Sequence, residues 1–388
     1  MPQTWEDLAG RALARQFPYA APTDLTGPAD PTSPEAVVEA LGRIGPVQSQ
    51  TARSPFLGLA ARLPGVTHEA VRAAYERHDV VRGSTLRGTV HTATAADHPL
   101  LEVATRAGQR PLWRRALRLE ATTLEQVWSA LEAYAAPGWR TPAELGEHLR
   151  TWVAEHDPAA TPRLEDTQGR YLAFGHGGLV RRPLTGGWEG QGRPIYRTAA
   201  ALLGPRDDVL ADPDGAVDAL LRRHLACHGP ASRHDLAWWS GLGLRVVDAS
   251  LDRLARSGAT TPDDGPDGRA YVDLVDAPGP VDLPGVRLLP EFDALLCAYE
   301  PSARLRFGVR DHLDRLWHQD NGLVDAPLLV DGRLSGRWRL SGTGRSRRCE
   351  VAWFARTRRP RRAEVEEQLE HLVAAYPVTI EGLEVTRD

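Results

Sequence analysis

Two glutamines separated by one residue, Gln48 and Gln50, are the first candidates for chemistry in this sequence. They lie between Pro46 and Pro55, and proline disfavours a continuous helix and moves the residue before it toward extended geometry. In an extended chain, residues two apart point the same way, so both amides would face one point with Ser49 turned away. An amide has no useful basicity, but it accepts and donates hydrogen bonds. The pair could hold a water molecule, although two glutamines in a loop are most often plain polar surface.

Common catalytic and metal-binding signatures are absent from the sequence. There is no Walker A loop, no dinucleotide glycine fingerprint, no nucleophile elbow and no HExxH motif. The 13 histidines are scattered, and no pair has convincing ligand spacing. The three cysteines, Cys227, Cys297 and Cys349, are far apart, as expected of isolated reduced thiols. We therefore expect no metal site and no cofactor.

The distribution of charge is more informative than its sum. The net charge is −4, and the chain contains no lysine. Between Arg337 and Arg362 there are ten arginines and one acid, Glu350. Phosphate binding needs local positive potential and not a positive net charge. This segment is thus a candidate nucleic-acid contact, with a solvated basic face as the alternative.

Helical and strand patterns that could position these residues recur along the chain. The best-marked unit spans about 214–274, with three predicted helices, an N-cap at Ser232 and two strands around an Asp/Gly/Pro turn. Three helices followed by a β-hairpin are typical of a winged helix-turn-helix. Similar patterns are helices 34–44 and 67–78 before a hairpin over 80–94, and helices 124–134 and 141–154 before a hairpin over 179–196.

The tail differs from the repeats. Strands are predicted at 327–330, 334–340 and 349–355, with a type I′ turn at Asp331-Gly332 and a closing helix at 363–376. The predicted fold class is α+β, with about three tandem winged helix-turn-helix modules and a C-terminal antiparallel β element. A chain of 388 residues exceeds one ordinary core. The predicted domains are 1–98, a first winged-helix module with the Gln-Ser-Gln motif; 99–200, a second module; 201–285, a third; and 286–388, a β-sheet or hairpin with a closing helix.

The location follows from what the sequence lacks. No stretch approaches 18 apolar residues, which a membrane span needs. The first 15 residues include Glu6 and Asp7 and have no apolar signal core. We expect a cytoplasmic protein with no membrane contact.

The sequence resembles the AlkZ and YcaQ family of winged-helix DNA glycosylases. The resemblance covers nearly the whole chain and rests on five short strings in the expected order. This family divides into a Gln-x-Gln branch and a Gln-x-Asp branch, and Gln48-Ser49-Gln50 matches the AlkZ branch. The strings are Val47-Gln48-Ser49-Gln50, Leu86-Arg87-Gly88-Thr89-Val90-His91, Gly229-Pro230-Ala231 through Ala237-Trp238-Trp239-Ser240-Gly241-Leu242, Leu288-Leu289-Pro290-Glu291-Phe292-Asp293 and Leu329-Val330-Asp331-Gly332-Arg333.

The resemblance implies a monofunctional DNA glycosylase that hydrolyses the N-glycosidic bond of cationic alkylated purines. Alkylation at N7 or N3 makes the purine cationic, so it leaves as a neutral base without a protonating acid. A positioned water then suffices. The implied substrate is double-stranded DNA with bulky N7-alkylguanine adducts, and interstrand crosslinks are a further candidate, held in a concave basic channel. The branch is associated with self-resistance to DNA-alkylating antibiotics. No obligate protein partner is expected, and the protein would be nucleoid-associated.

Candidate site residues follow from the resemblance. Gln48 and Gln50 would be catalytic. His91 could contact the lesion strand or be structural, and Asp293 could orient catalytic side chains or cap a turn. The candidate DNA-binding residues are Arg333, Arg337 and Arg339 on the predicted tail hairpin, and Arg345, Arg347 and Arg348 in the loop that follows.

Two other classes of function fit the same elements. A winged-helix transcription regulator without catalysis would bind one undamaged operator tightly and release no base. A protein-interaction scaffold would bind DNA weakly, without the steep salt dependence that phosphate contacts impose. The regulator leaves the Gln-Ser-Gln string unexplained.

Overall fold

The computed structural model describes residues 3–19, 30–164, 171–318 and 322–388. Within these residues the fold is α+β, and the strands form four sheets. None of the described helices is long and apolar enough to cross a membrane. Cys227, Cys297 and Cys349 are free and buried, as the spacing predicted.

Several helices begin at side-chain caps that the sequence supplies. Thr4, Thr123, Thr141 and Ser232 each form a capping box, in which the hydroxyl accepts a backbone N–H of the first turn. The helices with defined bounds are α1 (Trp5–Gln16), α2 (Pro34–Ile44), α3 (Ser54–Ala60), α4 (His68–Glu76), α5 (His98–Leu117), α6 (Leu124–Ala135), α7 (Pro142–His156), α8 (Ala199–Leu203), α9 (Asp207–Ala211), α10 (Pro213–His228), α11 (Arg233–Ser240), α12 (Leu244–Arg256), α13 (Ala294–Cys297), α14 (Arg310–Leu316) and α15 (Arg362–Ala375).

The strands include the hairpins predicted from the sequence and others that were not predicted. The two-residue β1 ends at the first candidate glutamine, Gln48, and the second, Gln50, lies two residues later. The strands are β1 (Val47–Gln48), β2 (Val80–Ser84), β3 (Val90–Thr94), β4 (Leu179–Pro183), β5 (Pro194–Thr198), β6 (Ala231–Ser232), β7 (Thr260–Asp264), β8 (Ala270–Leu274), β9 (Val286–Leu288), β10 (Trp317–His318), β11 (Leu323–Val324), β12 (Ala326–Val330), β13 (Arg333–Ser341), β14 (Ser346–Trp353) and β15 (Thr379–Arg387).

The first two predicted hairpins share one five-stranded sheet, in the order β1-β3-β2-β4-β5. Gly83 of β2 pairs with Val180 of β4, which joins the two hairpins. Gly83 permits this approach, since a Cβ there would lie 3.0 Å from the Leu179 carbonyl oxygen. The sequence predicted each hairpin but not the pairing between them.

Residues 213–274 match the prediction closely. Helices α10, α11 and α12 precede the β7–β8 hairpin, and β6 joins β8 at its edge. A core of aliphatic side chains, including Val217, Leu221 and Leu254, holds the three helices together. Gly241 ends α11 with a φ of 75°, a conformation that glycine adopts without steric cost.

The C-terminal sheet has the order β15-β14-β13-β12-β9. Asp331 and Gly332 both have positive φ, 50° and 73°, as the predicted type I′ turn requires. The sequence predicted an antiparallel element, and this prediction was wrong for one strand: β15 pairs with β14 in parallel. The crossover through α15 brings the chain back in the same direction.

The segment after the glutamines is fixed to this C-terminal sheet. Leu57 of α3 packs in the same core cluster as Leu328, Trp338 and Leu369. Two residues after α3, the buried guanidinium of Arg62 pairs with Asp293. Residues 46–62 are therefore held between the first sheet and the C-terminal sheet.

Candidate active site

Gln48 is the last residue of β1 and is 7% exposed. It lies directly opposite His91 of β3 in antiparallel register. Opposed residues in such a pair place their side chains on the same face of the sheet. The structure thus brings together two of the residues that the sequence analysis selected.

The residues on either side of Gln48 point into the core. Val47 belongs to the hydrophobic cluster under the first sheet. The Ser49 hydroxyl lies 2.7 Å from Thr92 Oγ1 and donates to the Val47 carbonyl at 3.0 Å. The Ser49 amide donates to the Val90 carbonyl at 2.7 Å. Ser49 is therefore turned away from the sheet face of Gln48, as the alternation predicted.

Gln50 lies beyond the end of β1 and is exposed. Its backbone carbonyl accepts a hydrogen bond from Gln191 Nε2 at 3.1 Å. The Gln191 amide oxygen in turn accepts from the Ala52 amide at 2.9 Å. Gln50 thus offers its side chain to solvent while a residue from the second hairpin holds its backbone.

His91 is 4% exposed. Burial, with a smaller contribution from the charge of Arg87, lowers the pKa of His91 to about 3. Its Nδ1 lies 3.0 Å from Thr85 Oγ1 and 3.2 Å from the Thr89 carbonyl. Because a carbonyl only accepts, the Nδ1 carries the proton, and His91 is a neutral ring with Nε2 as an acceptor.

Arg87 places a cation next to Gln48. Its Nη2 donates to Gln48 Oε1 at 3.4 Å, and its Nη1 donates to the carbonyls of Trp238 and Trp239 at 3.0 and 3.3 Å. Arg87 also donates to the Cys297 carbonyl. In the described part of the chain, all the hydrogen-bond acceptors of this guanidinium are uncharged oxygens. Burial lowers the pKa of Arg87. A carbonyl oxygen has two lone pairs, so Gln48 Oε1 keeps one for a water proton.

The Leu-Pro-Glu-Phe-Asp string supports the segment from below. Arg53 Nη2 donates to Glu291 Oε1. Asp293 binds Arg62 through both oxygens, at 2.7 and 2.9 Å, and accepts the Leu295 amide at 2.9 Å as the cap of α13. In the described part of the chain, the hydrogen bonds of Asp293 join Arg62 and the start of α13 and neither candidate glutamine, so its contacts are those of a buried ion pair and a helix cap.

Three of the candidate DNA-binding arginines pair with acids. Arg333 lies 3.5 Å from Glu6, and Arg339 lies 2.6 Å from Glu350. Arg337 contacts both Asp325 and Asp388 at 3.2 Å.

The direction of β13 separates two of these arginines from the glutamine segment. Trp338 is buried, and its Nε1 donates to the carbonyl of Leu289, the first residue of the Leu-Pro-Glu-Phe-Asp string, at 2.8 Å. Alternate residues of a strand face opposite sides, so Arg337 and Arg339 face away from that string. In the loop and strand that follow, Arg345 and Arg348 are exposed and Arg347 is half-buried.

Sequence reasoning missed two residues that touch the candidate glutamines. Arg87 lies inside the Leu86–His91 string, and this position in the sequence could have identified it. Its backbone has a φ of 57°. Gln191 lies in a glycine-rich loop and carries no local signal. Its role depends on contacts across 141 and 139 residues of sequence.

Comparisons with known proteins identify a family. A comparison with curated proteins finds no significant match. Among solved structures, the chain is similar to the DNA glycosylase AlkZ of Streptomyces sahachiroi, with a TM-score of 0.77, 20% identity and complete coverage of both chains. The family model of the AlkZ-like DNA glycosylases matches residues 41–375. These residues contain Gln48 and Gln50, as well as Arg87 and Gln191. The chain belongs to the AlkZ-like DNA glycosylases and is an enzyme of that class.

Proposed function

We propose that this glycosylase hydrolyses the N-glycosidic bond of cationic alkylated purines in double-stranded DNA with a water held by Gln48 and Gln50. The observation that carries the proposal is the placement of Gln48 between His91 and Arg87, with the exposed Gln50 two residues on. All the side chains in this group other than Arg87 are neutral, and burial holds the pKa of His91 far below neutral pH. The site therefore orients water and does not supply a strong base.

The chemistry needs little more than this. The bond between C1′ and the purine nitrogen breaks, and its electron pair neutralises the cationic base. The sugar becomes an oxocarbenium-like centre that water attacks, and the water proton passes to solvent. Holding the water in contact with C1′ lowers the barrier to hydrolysis by several kcal/mol. An unmodified purine would leave as an anion, so the lesion's own charge provides the selectivity.

We propose further that the helices and hairpins form about three winged-helix modules around a concave DNA channel, with the domain boundaries given above. In support, residues 213–274 have the order of three helices and a hairpin. For phosphate contacts we propose chiefly Arg345, Arg347 and Arg348. Arg333, Arg337 and Arg339 contribute less, because neighbouring carboxylates already compensate their charge.

The proposed substrates include bulky N7-alkylguanine adducts and, as a further case, interstrand crosslinks. A crosslinked base is tethered to the opposite strand and cannot rotate into a closed pocket. The exposure of Gln50 favours attack at an open surface. The role proposed is DNA repair in the nucleoid, as self-resistance to a genotoxic natural product.

Defined duplexes test the proposal. Each contains one N7-methylguanine, one bulky N7-alkylguanine or one 3-methyladenine, and free base is measured by chromatography against an enzyme-free control. We expect release of both N7-alkylguanines and none from unmodified DNA. Release of 3-methyladenine alone would contradict the proposed substrate range. Tight binding to one undamaged sequence without any base release would favour a regulator.

A further inference from the structure

The loop between β4 and β5, residues 184–193, packs against α4 and β2. Trp188 is 3% exposed and stacks on Tyr75, with ring centroids 4.3 Å apart and an interplanar angle of 7°. Its Nε1 donates to Glu76 Oε1 at 2.8 Å. Glu189 Oε2 lies 3.1 Å from His68 Nε2. These contacts fix the loop on α4, beside the glutamine segment.

Gln191 extends from this anchored loop to the backbone around Gln50. Its amide uses both ends, donating to the Gln50 carbonyl at 3.1 Å and accepting from the Ala52 amide at 2.9 Å. A second tie lies close by: Arg82 donates to the Ala52 carbonyl at 3.0 Å and to the Trp188 carbonyl at 2.9 Å. The backbone from Gln50 to Ala52 is thus held by Gln191 from the second hairpin and by Arg82 from β2 of the first hairpin.

This hold matters because β1 ends at Gln48. Gln50 is exposed, so side-chain packing does little to restrain it. A free backbone residue samples many conformations, and ordering it costs conformational entropy. Gln191 supplies the missing restraint through two hydrogen bonds, much as a neighbouring strand would.

We propose that Gln191 is a positioning residue, which sets the direction of the Gln50 amide without touching the substrate itself. The inference rests on the proposed function of Gln50. A displacement of about 1 Å in a positioning group lowers a rate by about 100-fold. The loss of Gln191 should therefore slow the chemical step and leave DNA binding intact.

The test combines single-turnover kinetics with a double-mutant cycle. With enzyme in excess over an N7-alkylguanine duplex, we expect Gln191→Ala to lower the rate by about 10- to 100-fold. The Kd for a duplex with an abasic-site analogue should stay within about twofold. The urea unfolding midpoint should fall by no more than about 1 M, since Gln191 is exposed and only two hydrogen bonds are lost. In a Gln50→Ala background, Gln191→Ala should cause no further loss, because it acts only through Gln50.

A pH profile gives a readout that general loosening of the loop would not produce. The carboxylate of Gln191→Glu can still accept from the Ala52 amide, but it donates to the Gln50 carbonyl only when protonated. Its rate should rise as the pH falls from about 7.5 toward the pKa of a glutamate, about 4.3, while the wild-type rate stays flat. A matched control is Gln126→Ala, which removes the hydrogen bond that the Thr123 amide donates to the side-chain oxygen of the exposed Gln126. The control should keep the wild-type rate.

Each outcome decides the question. A wild-type rate for Gln191→Ala, with Gln50→Ala inactive, would overturn the positioning role and leave the proposed function standing. An equal loss from Gln191→Ala in the wild-type and Gln50→Ala backgrounds would also overturn it. A wild-type rate for Gln50→Ala would instead refute the proposed function.

Discussion

Replacing Asp293 by asparagine separates a structural anchor from a catalytic helper. The Asp293 and Arg62 side chains are each 2% exposed and form two short hydrogen bonds. Asparagine keeps the size of the side chain and an oxygen for the Leu295 amide, but it leaves Arg62 as a buried cation without its counter-charge. Arg62 retains the Gly58 carbonyl at 3.2 Å and Gln16 Oε1 at 3.3 Å.

The expected cost follows from the burial of the pair. Breaking a buried ion pair by removing one partner costs about 3–5 kcal/mol. With a urea m-value of roughly 3 kcal/mol per M, the unfolding midpoint should fall by about 1–1.7 M. The double variant Arg62→Met/Asp293→Asn should recover most of this loss, because it removes the unpaired charge.

The assay follows unfolding by tryptophan fluorescence and, at a urea concentration below both transitions, the single-turnover rate on an N7-alkylguanine duplex. Asp293 hydrogen-bonds to neither glutamine, so the folded Asp293→Asn protein should release base within about threefold of the wild-type rate. A factor of ten in rate corresponds to about 1.4 kcal/mol of barrier. A rate loss of tenfold or more with an unchanged midpoint would refute the anchor role and support the orienting role.

Three further predictions concern pH and salt. Buried His91 and His224, with pKa values lowered to about 3, are neutral in the folded protein, so the unfolded state takes up protons first as the pH falls below about 6.5. Each histidine should remove about 2 kcal/mol of stability at pH 5, and urea unfolding of His91→Asn should show a weaker acid sensitivity; an identical sensitivity would contradict this. Because amides do not titrate, the single-turnover rate should be flat from about pH 6 to 8.5, whereas an inflection near 6.5, the pKa of a free histidine, would show that a histidine takes part. Arg345→Ala/Arg348→Ala should reduce the salt slope of DNA binding by about two, and Arg337→Ala/Arg339→Ala by clearly less; equal slopes for the two pairs would contradict the assignment.

Local signals in the sequence predicted much of the fold. The capped helices, the hairpin over residues 80–94 and the turn at Asp331-Gly332 depend on neighbours in the sequence, so their residues report them. The pairing of β2 with β4 and the parallel addition of β15 depend on distant segments. No local pattern encodes them.

The candidate site divides along the same line. Gln48 was predictable from its motif and from the family resemblance, and the register of β1 with β3 adds His91. The partners that hold the site, Arg87 and Gln191, act through contacts made only in the folded chain. The basic cluster shows the opposite limit: the sequence showed its charge, but not which carboxylates lie against Arg337 and Arg339.

The most direct measurement compares Gln48→Ala and Gln50→Ala with the wild type on a duplex containing one N7-alkylguanine, with enzyme in excess. We expect each variant to release base at least about 100-fold more slowly, since each loses a group that positions the water. Both should bind an abasic-site analogue duplex with unchanged Kd. Wild-type rates in both variants would show that the two amides do not hold the reacting water.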